Sequence, residues 1–323
     1  MIIKQIISKR YFTNWVSWDL VFEWEEIFQE HLDAKFFNDR QLPIVGGIVR
    51  RFPVLSKFLP LYTNSFSFEL GPWKDVVGRN KSNIVPCIID FYLKDNNDLE
   101  RFYAEYNKHK VVLVSSAEVK SYLDSVNCPI NIQHLGLSLS DKYRITKETF
   151  FEKKYDVVLI GRTNVVLENF LDCYKKKYDI SIIKSKKVGD DYICYTDKEQ
   201  YVCKVNDRAA YLGILQKARC TLYATPGIDG GEKRTNGFNQ VTPRFLEALA
   251  CGCHVITRYE SNPDTCFYEL EKYWKNVTTY DEFEKEMNKA LTTEFDVQFA
   301  SMYLSQHYTS TRVKQLVDIV TGI

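Results

Sequence analysis

The sequence predicts an α/β fold with two domains, each built around a sheet whose strands alternate with helices. The chain has 323 residues, which is enough for two domains of ordinary size. Apolar runs of strand length alternate with amphipathic stretches over residues 155–258, a pattern typical of a mostly parallel sheet covered on both faces. The same strand–helix–strand order recurs over residues 84–139, so we expect a second domain of this kind.

The second half of the chain carries the clearer pattern. Its apolar runs are short and alternate with helical stretches, one of which is opened by Asn206 or Asp207 as the capping residue. Strands are predicted at 155–161, 180–184, 191–196, 200–205, 220–225 and 254–258, and helices at 164–177, 206–218 and 243–251.

The first half and the tail are predicted in less detail. Residues 1–40 have a helical and aromatic character, and Ser116 is suited to cap a helix over 116–126. Strands are predicted at 84–93, 110–116 and 129–139, and helices in the tail at 280–291 and 294–320.

One polar stretch, residues 140–154, is the predicted linker between the domains. It gives an N-terminal domain at 1–145 and a C-terminal domain at 146–300. The remaining residues, 301–323, are expected to form a C-terminal helix that packs back on the first domain.

Composition excludes several classes of protein. The formal net charge is +1, so the chain lacks the basic field that a nucleic-acid-binding protein carries. Nine cysteines at irregular spacing, with no CxxC or HExxH motif, predict reduced thiols in a cytoplasmic protein and no metal site. No apolar run approaches the length of a membrane span, and no secretory signal is evident at the start.

Residues 44–63 allow two interpretations. They mix Arg50, Arg51 and Lys57 with aromatic and aliphatic side chains, a composition that suits a segment lying in a membrane interface. The alternative is a loop and helix packed on the core with the charges outward.

The most informative stretch is residues 225–253, a long glycine-rich loop followed by a short apolar helix. Thr242 is placed to cap this helix, Pro243 occupies its first position, and Gly252 ends it. The free N–H groups of the first turn and the helix dipole together favour an anion. Long loops inside compact domains are uncommon unless they bind something.

Charged residues around the same helix support this interpretation. Arg244 lies in the first turn, and Lys233 and Arg234 lie in the preceding loop. Glu247 follows the cap by five residues, which places it about 7–8 Å further along the helix axis. A phosphate near the cap and a sugar hydroxyl near Glu247 would suit this spacing. Alternatively, the helix needs no ligand, and Arg244 and Glu247 form a surface pair.

A second loop is expected to meet the first. Gly161 and Arg162 follow strand 155–161, and the glycine-rich loop follows strand 220–225. Ligands of parallel sheets bind outside the carboxyl ends of the strands, so both loops lie on the ligand side. Neither GxGxxG nor GxxxxGK[ST] occurs, which argues against a nicotinamide enzyme and a P-loop enzyme.

The stretch NGFNQVTPRFLEALACGCHVIT, residues 236–257, resembles the C-terminal signature of bacterial nucleotide-sugar glycosyltransferases of the GT-B class. This resemblance implies two Rossmann-like domains that face a cleft. Retaining members of the family-4 type carry two glutamates separated by seven positions; Glu247 matches the second, and Asn239 stands at the first. Gly161-Arg162 matches the family's Gly-Arg, while the usual nearby lysine is not evident.

The resemblance also implies roles for the residues of the two loops. Glu247 would accept hydrogen bonds from ribose hydroxyls, and guanidinium groups would neutralise the leaving diphosphate, so that neither metal nor cofactor is required. The predicted donor-binding set is Gly161, Arg162, Lys233, Arg234, Asn239, Gln240, Thr242, Pro243, Arg244 and Glu247, with Asn239 and Gln240 against the donor sugar.

Three residues are candidates for catalytic acid–base work. Asp90 stands in the apolar run 84–93. Burial of a carboxylate there costs free energy, so the group is expected to have a structural or catalytic role. His134 ends a predicted strand near the cleft, and Asp229 lies in the glycine-rich loop. A structural role is the alternative for each.

Residues around SSAEVKSYL and NIQHLGLSLSDKY resemble the interdomain region of polysaccharide-cluster glycosyltransferases. This likeness implies transfer of a sugar to a glycan or lipid-linked glycan in O-antigen or capsule synthesis, either in the cytoplasm or at the cytoplasmic face of the inner membrane. Retention of configuration stays open. Two alternatives are a nucleotide-sugar epimerase of the same fold and a non-catalytic scaffold in a polysaccharide assembly complex.

Overall fold

The computed structural model describes residues 1–10, 16–38, 51, 63–72, 81–189 and 191–322. These residues form two compact units. The first unit comprises Met1–Asp141, Arg234–Phe238 and Tyr308–Ile323, and the second comprises Lys142–Lys233 and Asn239–His307. The units differ from the predicted domains at three stretches: segment 234–238 belongs to the first unit, and residues 142–145 and 301–307 belong to the second.

The described part of the first unit contains a parallel sheet with the strand order β2-β1-β3-β4-β5-β6. All six residues of β4 are buried, as expected for a central strand of a parallel sheet covered on both faces. The strands are β1 (Gln5–Ser8), β2 (Lys35–Asn38), β3 (Ser65–Leu70), β4 (Ile84–Ile89), β5 (Val112–Val114) and β6 (Ile132–His134).

Helices cover the first sheet. Ser116 accepts a hydrogen bond from the Val119 N–H, which confirms it as a capping residue. Trp24, Phe28 and Phe66 lie in a core cluster that also includes Val313 and Leu316 of the C-terminal helix. The helices of this unit are α1 (Val16–Leu32), α2 (Asn96–Tyr106), α3 (Ala117–Ser125) and α11 (Thr309–Thr321).

Two expectations for the first unit were incomplete. Residues 1–40 are not helical throughout, because β1 and β2 flank α1 and pair with each other in parallel. The predicted strand 84–93 ends at Ile89, because Asp90 has a φ of +58° and turns the chain. Apart from Arg51 and Thr63, the segment 44–63 lies outside the described residues, so its two interpretations stay predictions.

The second unit contains a mixed sheet with the order β10-β9-β8-β7-β11-β12. Strands β8, β7, β11 and β12 run parallel, and β9 and β10 continue the sheet in antiparallel pairs. The strands are β7 (Tyr155–Leu159), β8 (Ile182–Val188), β9 (Asp191–Thr196), β10 (Tyr201–Val205), β11 (Ala218–Ala224) and β12 (His254–Arg258).

Side-chain caps start two of the helices that connect these strands. Asn164 accepts hydrogen bonds from the Val166 and Leu167 N–H groups at the start of α4, and Asp207 caps α5. The helices of this unit are α4 (Val165–Lys177), α5 (Arg208–Leu215), α6 (Pro243–Ala250), α7 (Pro263–Phe267), α8 (Leu270–Tyr273), α9 (Tyr280–Thr292) and α10 (Val297–Ser305).

The predicted helix 294–320 is in fact two helices, α10 and α11. The chain is extended at Tyr308, which has φ −70° and ψ 154° and forms a β-bridge with Leu139 of the first unit. A helical hydrophobic period continues through this break, which is why the sequence suggested one helix. Among the described helices, none combines the length and the apolar composition that crossing a bilayer requires.

Candidate active site

A cavity of about 400 Å³ opens in the second unit at the carboxyl ends of β7 and β11. One wall is the loop after β7, from Arg162 to the first turn of α4, and the other is the glycine-rich loop from Thr225 to Glu232. Asn164 Nδ2 donates a hydrogen bond of 2.8 Å to Asp229 across this space. The prediction that the two loops converge is therefore confirmed.

Arg244 projects from the first turn of α6 towards the loop after β7. Its guanidinium donates hydrogen bonds to the carbonyl oxygens of Ile160 and Arg162, the latter at 2.8 Å. It also lies against Gly161, whose φ of +74° is accessible to glycine at little cost. Among the described residues Arg244 makes no ion pair with a carboxylate, so it contributes a fixed positive charge to the cavity.

Arg162, the second cation of the cavity, is paired with an acid of the opposite loop. Its Nη1 atom lies 2.5 Å from Glu232 Oε1, and the two side chains are 28% and 26% exposed. The pair therefore stands at the solvent-accessible part of the cavity, where an ion pair contributes little free energy.

Asp229 is held more firmly than Glu232. Its carboxylate accepts hydrogen bonds from Arg258 Nε at 2.6 Å and from Arg258 Nη2 at 2.7 Å, in addition to the one from Asn164. These bonds, those from Arg258 first, lower the pKa of the Asp229 carboxyl below its usual value. A carboxylate engaged in this way is a poor proton acceptor, so its geometry suits positioning of the loop.

Helix α6 begins where the sequence predicted, with Thr242 at the cap position and Pro243 as its first residue. The Thr242 side chain, however, makes no capping hydrogen bond. Its backbone N–H instead donates to the Tyr223 hydroxyl at 2.9 Å. Helix α6 therefore lines the cavity only through the Arg244 side chain. The helix whose first turn lines the cavity is α4, through Val165.

Glu247 is buried, with 2% of its surface exposed, and lies outside the cavity lining. Arg208 Nη2 of α5 lies 2.9 Å from Glu247 Oε1, in the geometry of an ion pair rather than of a directed hydrogen bond. The alternative of a surface pair between Arg244 and Glu247 is therefore wrong, because Glu247 pairs inside the unit with a residue of another helix.

The remaining polar residues of the predicted donor set are not among those that line this cavity. Asn239 is buried and donates a hydrogen bond of 3.1 Å to Glu260 Oε2, and Gln240 beside it is also buried. Lys233 is exposed. Arg234 belongs to the first unit, where its Nη1 lies 3.4 Å from Asp90 Oδ2.

Two of the three catalytic candidates lie in the first unit. Asp90 accepts a hydrogen bond of 2.9 Å from the Tyr92 hydroxyl, besides its contact with Arg234. His134 ends β6, where burial and then the nearby Arg312 charge lower its pKa to about 4. A histidine with this pKa is neutral at physiological pH. Their catalytic roles stay predictions.

The structure thus brings together Arg162, Asp229 and Arg244, with Gly161 beneath the Arg244 guanidinium. Sequence reasoning did not assign roles to Asn164, Glu232 and Arg258, which complete the charge pattern of the site. Asn164 carried a signal, because it precedes an apolar helical stretch as capping residues do. Glu232 and Arg258 carried none, because their partners are distant in sequence.

A family model described as glycosyl transferase-like matches residues 162–318, which include the cavity lining from Arg162 to Arg244. No curated protein matches the sequence.

Solved structures with a similar fold include several glycosyltransferases. AviGT4, a glycosyltransferase involved in avilamycin A biosynthesis, aligns over 98% of this chain and 96% of its own, at 10% identity and a TM-score of 0.55. The pneumococcal O-GlcNAc transferase GtfA in complex with UDP and GlcNAc aligns over 83% of this chain, at 12% identity and a TM-score of 0.52. The chain spans 59% of the length of that transferase.

A putative UDP-N-acetylglucosamine 2-epimerase from Listeria monocytogenes has a similar fold too, over 99% of this chain and 95% of its own, at 9% identity and a TM-score of 0.51. At such identities the likeness concerns the fold. The fold is the two-domain α/β fold of GT-B glycosyltransferases. The family-model match over residues 162–318 agrees with this fold.

Proposed function

We propose that this chain is a glycosyltransferase whose nucleoside-diphosphate-sugar donor binds in the cavity of the second unit. The observation that carries the proposal is the convergence of Arg162 and Arg244 on one cavity at the carboxyl ends of β7 and β11. This is the edge of a parallel sheet where ligands bind. Two guanidinium groups there match the charge of a diphosphate.

The same arrangement supplies a means of catalysis. Cleavage of the bond between the sugar and the diphosphate leaves additional negative charge on the departing phosphate. Arg244 is held by two backbone carbonyl groups, so its charge needs no rearrangement to stabilise that phosphate. The first turn of α4 lines the same cavity and adds the positive end of a helix dipole. We therefore propose that the transfer needs no metal ion.

The finer parts of the proposal rest on the resemblance in the sequence. The acceptor is a glycan or a lipid-linked glycan of a surface polysaccharide such as O-antigen or capsule. The enzyme works in the cytoplasm, with peripheral contact to the inner membrane. The match of Glu247 to the second glutamate of retaining members favours retention of the anomeric configuration, whereas Asn239 at the position of the first glutamate leaves it open; NMR of the product anomer decides between the two outcomes.

Binding is tested with a thermal-shift panel of UDP-, GDP-, CMP- and dTDP-linked compounds. We expect one nucleotide to raise the melting temperature and Arg244→Met to remove the shift. Arg219→Met is a matched control, because Arg219 is an exposed arginine of the same unit that lies outside the cavity and pairs at 3.9 Å with Asp156. If no compound shifts the melting temperature, a scaffold becomes the better interpretation.

Turnover separates a transferase from an epimerase. A transferase releases the nucleoside diphosphate in proportion to glycosylated acceptor, and EDTA leaves its rate unchanged. An epimerase of the same fold interconverts the donor sugar without an acceptor. Conversion of the donor to its epimer in the absence of acceptor would exclude the proposed transfer.

A further inference from the structure

The glycine-rich loop carries two carboxylates three positions apart, Asp229 and Glu232, and each is paired with an arginine. Asp229 is fixed by two hydrogen bonds from Arg258 and one from Asn164. The side chains of Asp229 and Arg258 are only 17% and 15% exposed. The pair with Arg258 ties the loop to β12, and the hydrogen bond from Asn164 ties it to the start of α4.

Glu232 is held mainly through its backbone, whereas Asp229 is held through its side chain. Its backbone is fixed, because its N–H donates to the Pro226 carbonyl at 2.8 Å. The preceding Gly231 could not carry a side chain, since a Cβ atom there would lie 2.6 Å from the Pro226 oxygen. The Glu232 carboxylate pairs with Arg162, and this pair is more exposed than the pair of Asp229 with Arg258. Movement at this position is therefore confined to the flexible side chain.

The charges of the cavity indicate what this side chain does. Arg258 is neutralised by Asp229 and Arg162 by Glu232, while Arg244 is fixed against backbone carbonyl groups. A diphosphate that enters beside Arg162 meets the Glu232 carboxylate on the same guanidinium. Two anions on one guanidinium repel each other, and this repulsion favours release of the Glu232 carboxylate from Arg162.

We infer that Glu232 is an internal counter-ion of Arg162, which the diphosphate displaces on binding and which returns to Arg162 when the diphosphate leaves. The inference rests on the proposed donor site, and it adds a residue that competes with the diphosphate for Arg162. Because the Arg162–Glu232 pair is partly exposed, its opening costs little. Its re-formation competes with the bound product and hastens release.

The test measures affinity for UDP, GDP, CDP and dTDP by calorimetry, with inorganic pyrophosphate as the minimal probe. We expect Glu232→Gln to bind the preferred nucleotide and pyrophosphate about two- to five-fold more tightly than the wild type. Asp229→Asn should bind both more weakly, because it loosens the loop that forms the wall. Glu199→Gln, which removes an exposed carboxylate of the β9–β10 turn paired with Lys186, is the control and should leave affinity unchanged.

Each outcome bears on the inference. Tighter binding by Glu232→Gln, or by Glu232→Ala if the first variant is unstable, supports it. Equal or weaker binding by both Glu232 variants overturns it while leaving the donor site intact, provided that Arg162→Met abolishes binding. If the wild type binds none of the nucleotides, or Arg162→Met binds as well as the wild type, the donor site itself fails and the inference with it.

Discussion

Asp229 accepts two hydrogen bonds from the Arg258 guanidinium, at 2.6 and 2.7 Å, although the two residues are 29 positions apart. This pair holds the glycine-rich loop against the last strand of the second sheet. Asp229 adopts a φ of +55°, a conformation that asparagine and aspartate tolerate better than most residues. The loop shape therefore depends on both the backbone preference and the charge of one residue.

Asp229→Asn should destabilise the second unit by about 1–3 kcal/mol at pH 7, because it removes the charge from the hydrogen bonds and keeps the backbone preference. The folded-state pKa of Asp229 lies below its usual value of 3.8. The stabilisation is thus present above pH 3.8 and is lost as the pH falls through the lowered pKa. Chemical unfolding of both proteins at pH 7 and pH 3 should show a smaller difference at pH 3.

Glu199→Gln is a matched control for this change. Glu199 also has a positive φ, +58°, and an ion pair with a lysine, but its side chain is 69% exposed. Loss of this exposed ion pair should alter the free energy of unfolding by less than about 1 kcal/mol. Equal effects of the two substitutions would show that the buried geometry of Asp229 contributes nothing.

Arg208→Met should destabilise the second unit by about 3–5 kcal/mol, because it leaves the buried Glu247 carboxylate without its cation. The double variant Arg208→Met with Glu247→Leu should recover most of that loss, since no uncompensated charge remains. Urea denaturation of the wild type, both single variants and the double variant measures the coupling. Additive losses would contradict a direct pairing of the two side chains.

Gly252→Ala should lower stability for two reasons: alanine is strained at a positive φ, and its methyl group would overlap a neighbouring side chain. Gly252 has a φ of +70° at the end of α6, and a Cβ atom there would overlap the Phe151 ring. Gly189→Ala is the matched control, with a φ of +64° and, chain neighbours aside, no atom of the described residues within 4 Å of the added methyl group. We expect about 1–2 kcal/mol for Gly189→Ala and about 1–3 kcal/mol more for Gly252→Ala. Similar melting temperatures for the two variants would contradict this packing.

Glu25→Gln should reveal a buried acid in the first unit. Burial outweighs the Ser8 and Arg10 contacts and raises the pKa of Glu25 from 4.5 to about 7. The folded state therefore binds a proton more tightly than the unfolded state, and stability falls as the pH rises from 4.5 to 7. The variant lacks this loss, so relative to the wild type it should gain about 3 kcal/mol between pH 4.5 and pH 8. Parallel pH profiles from urea denaturation would exclude a raised pKa.

Part of the candidate site could be predicted from local sequence patterns. The alternation of apolar strands and capped helices located β7, β11 and α6, because strand and helix formation depend on residues close in sequence. The side of the sheet on which the cavity opens followed from the parallel strand order. Local patterns failed for β1 and β2, four-residue strands beside a helix of seventeen residues, whose periodicity dominates residues 1–40.

By itself the sequence determined the α/β architecture of this protein, the glycine-rich loop before α6 and the presence of Arg162 and Arg244 on the side of the sheet where the cavity opens. Only the tertiary structure decided which charges pair: Arg162 with Glu232, Arg258 with Asp229 and Arg208 with Glu247. The physical reason is the separation along the chain over which each kind of interaction acts. Helix caps and hydrophobic periods act over a few residues, whereas an ion pair forms between any two oppositely charged groups that folding brings within 4 Å. Arg162 and Glu232 meet because β7 and β11 are neighbours in the sheet, although 70 positions separate them.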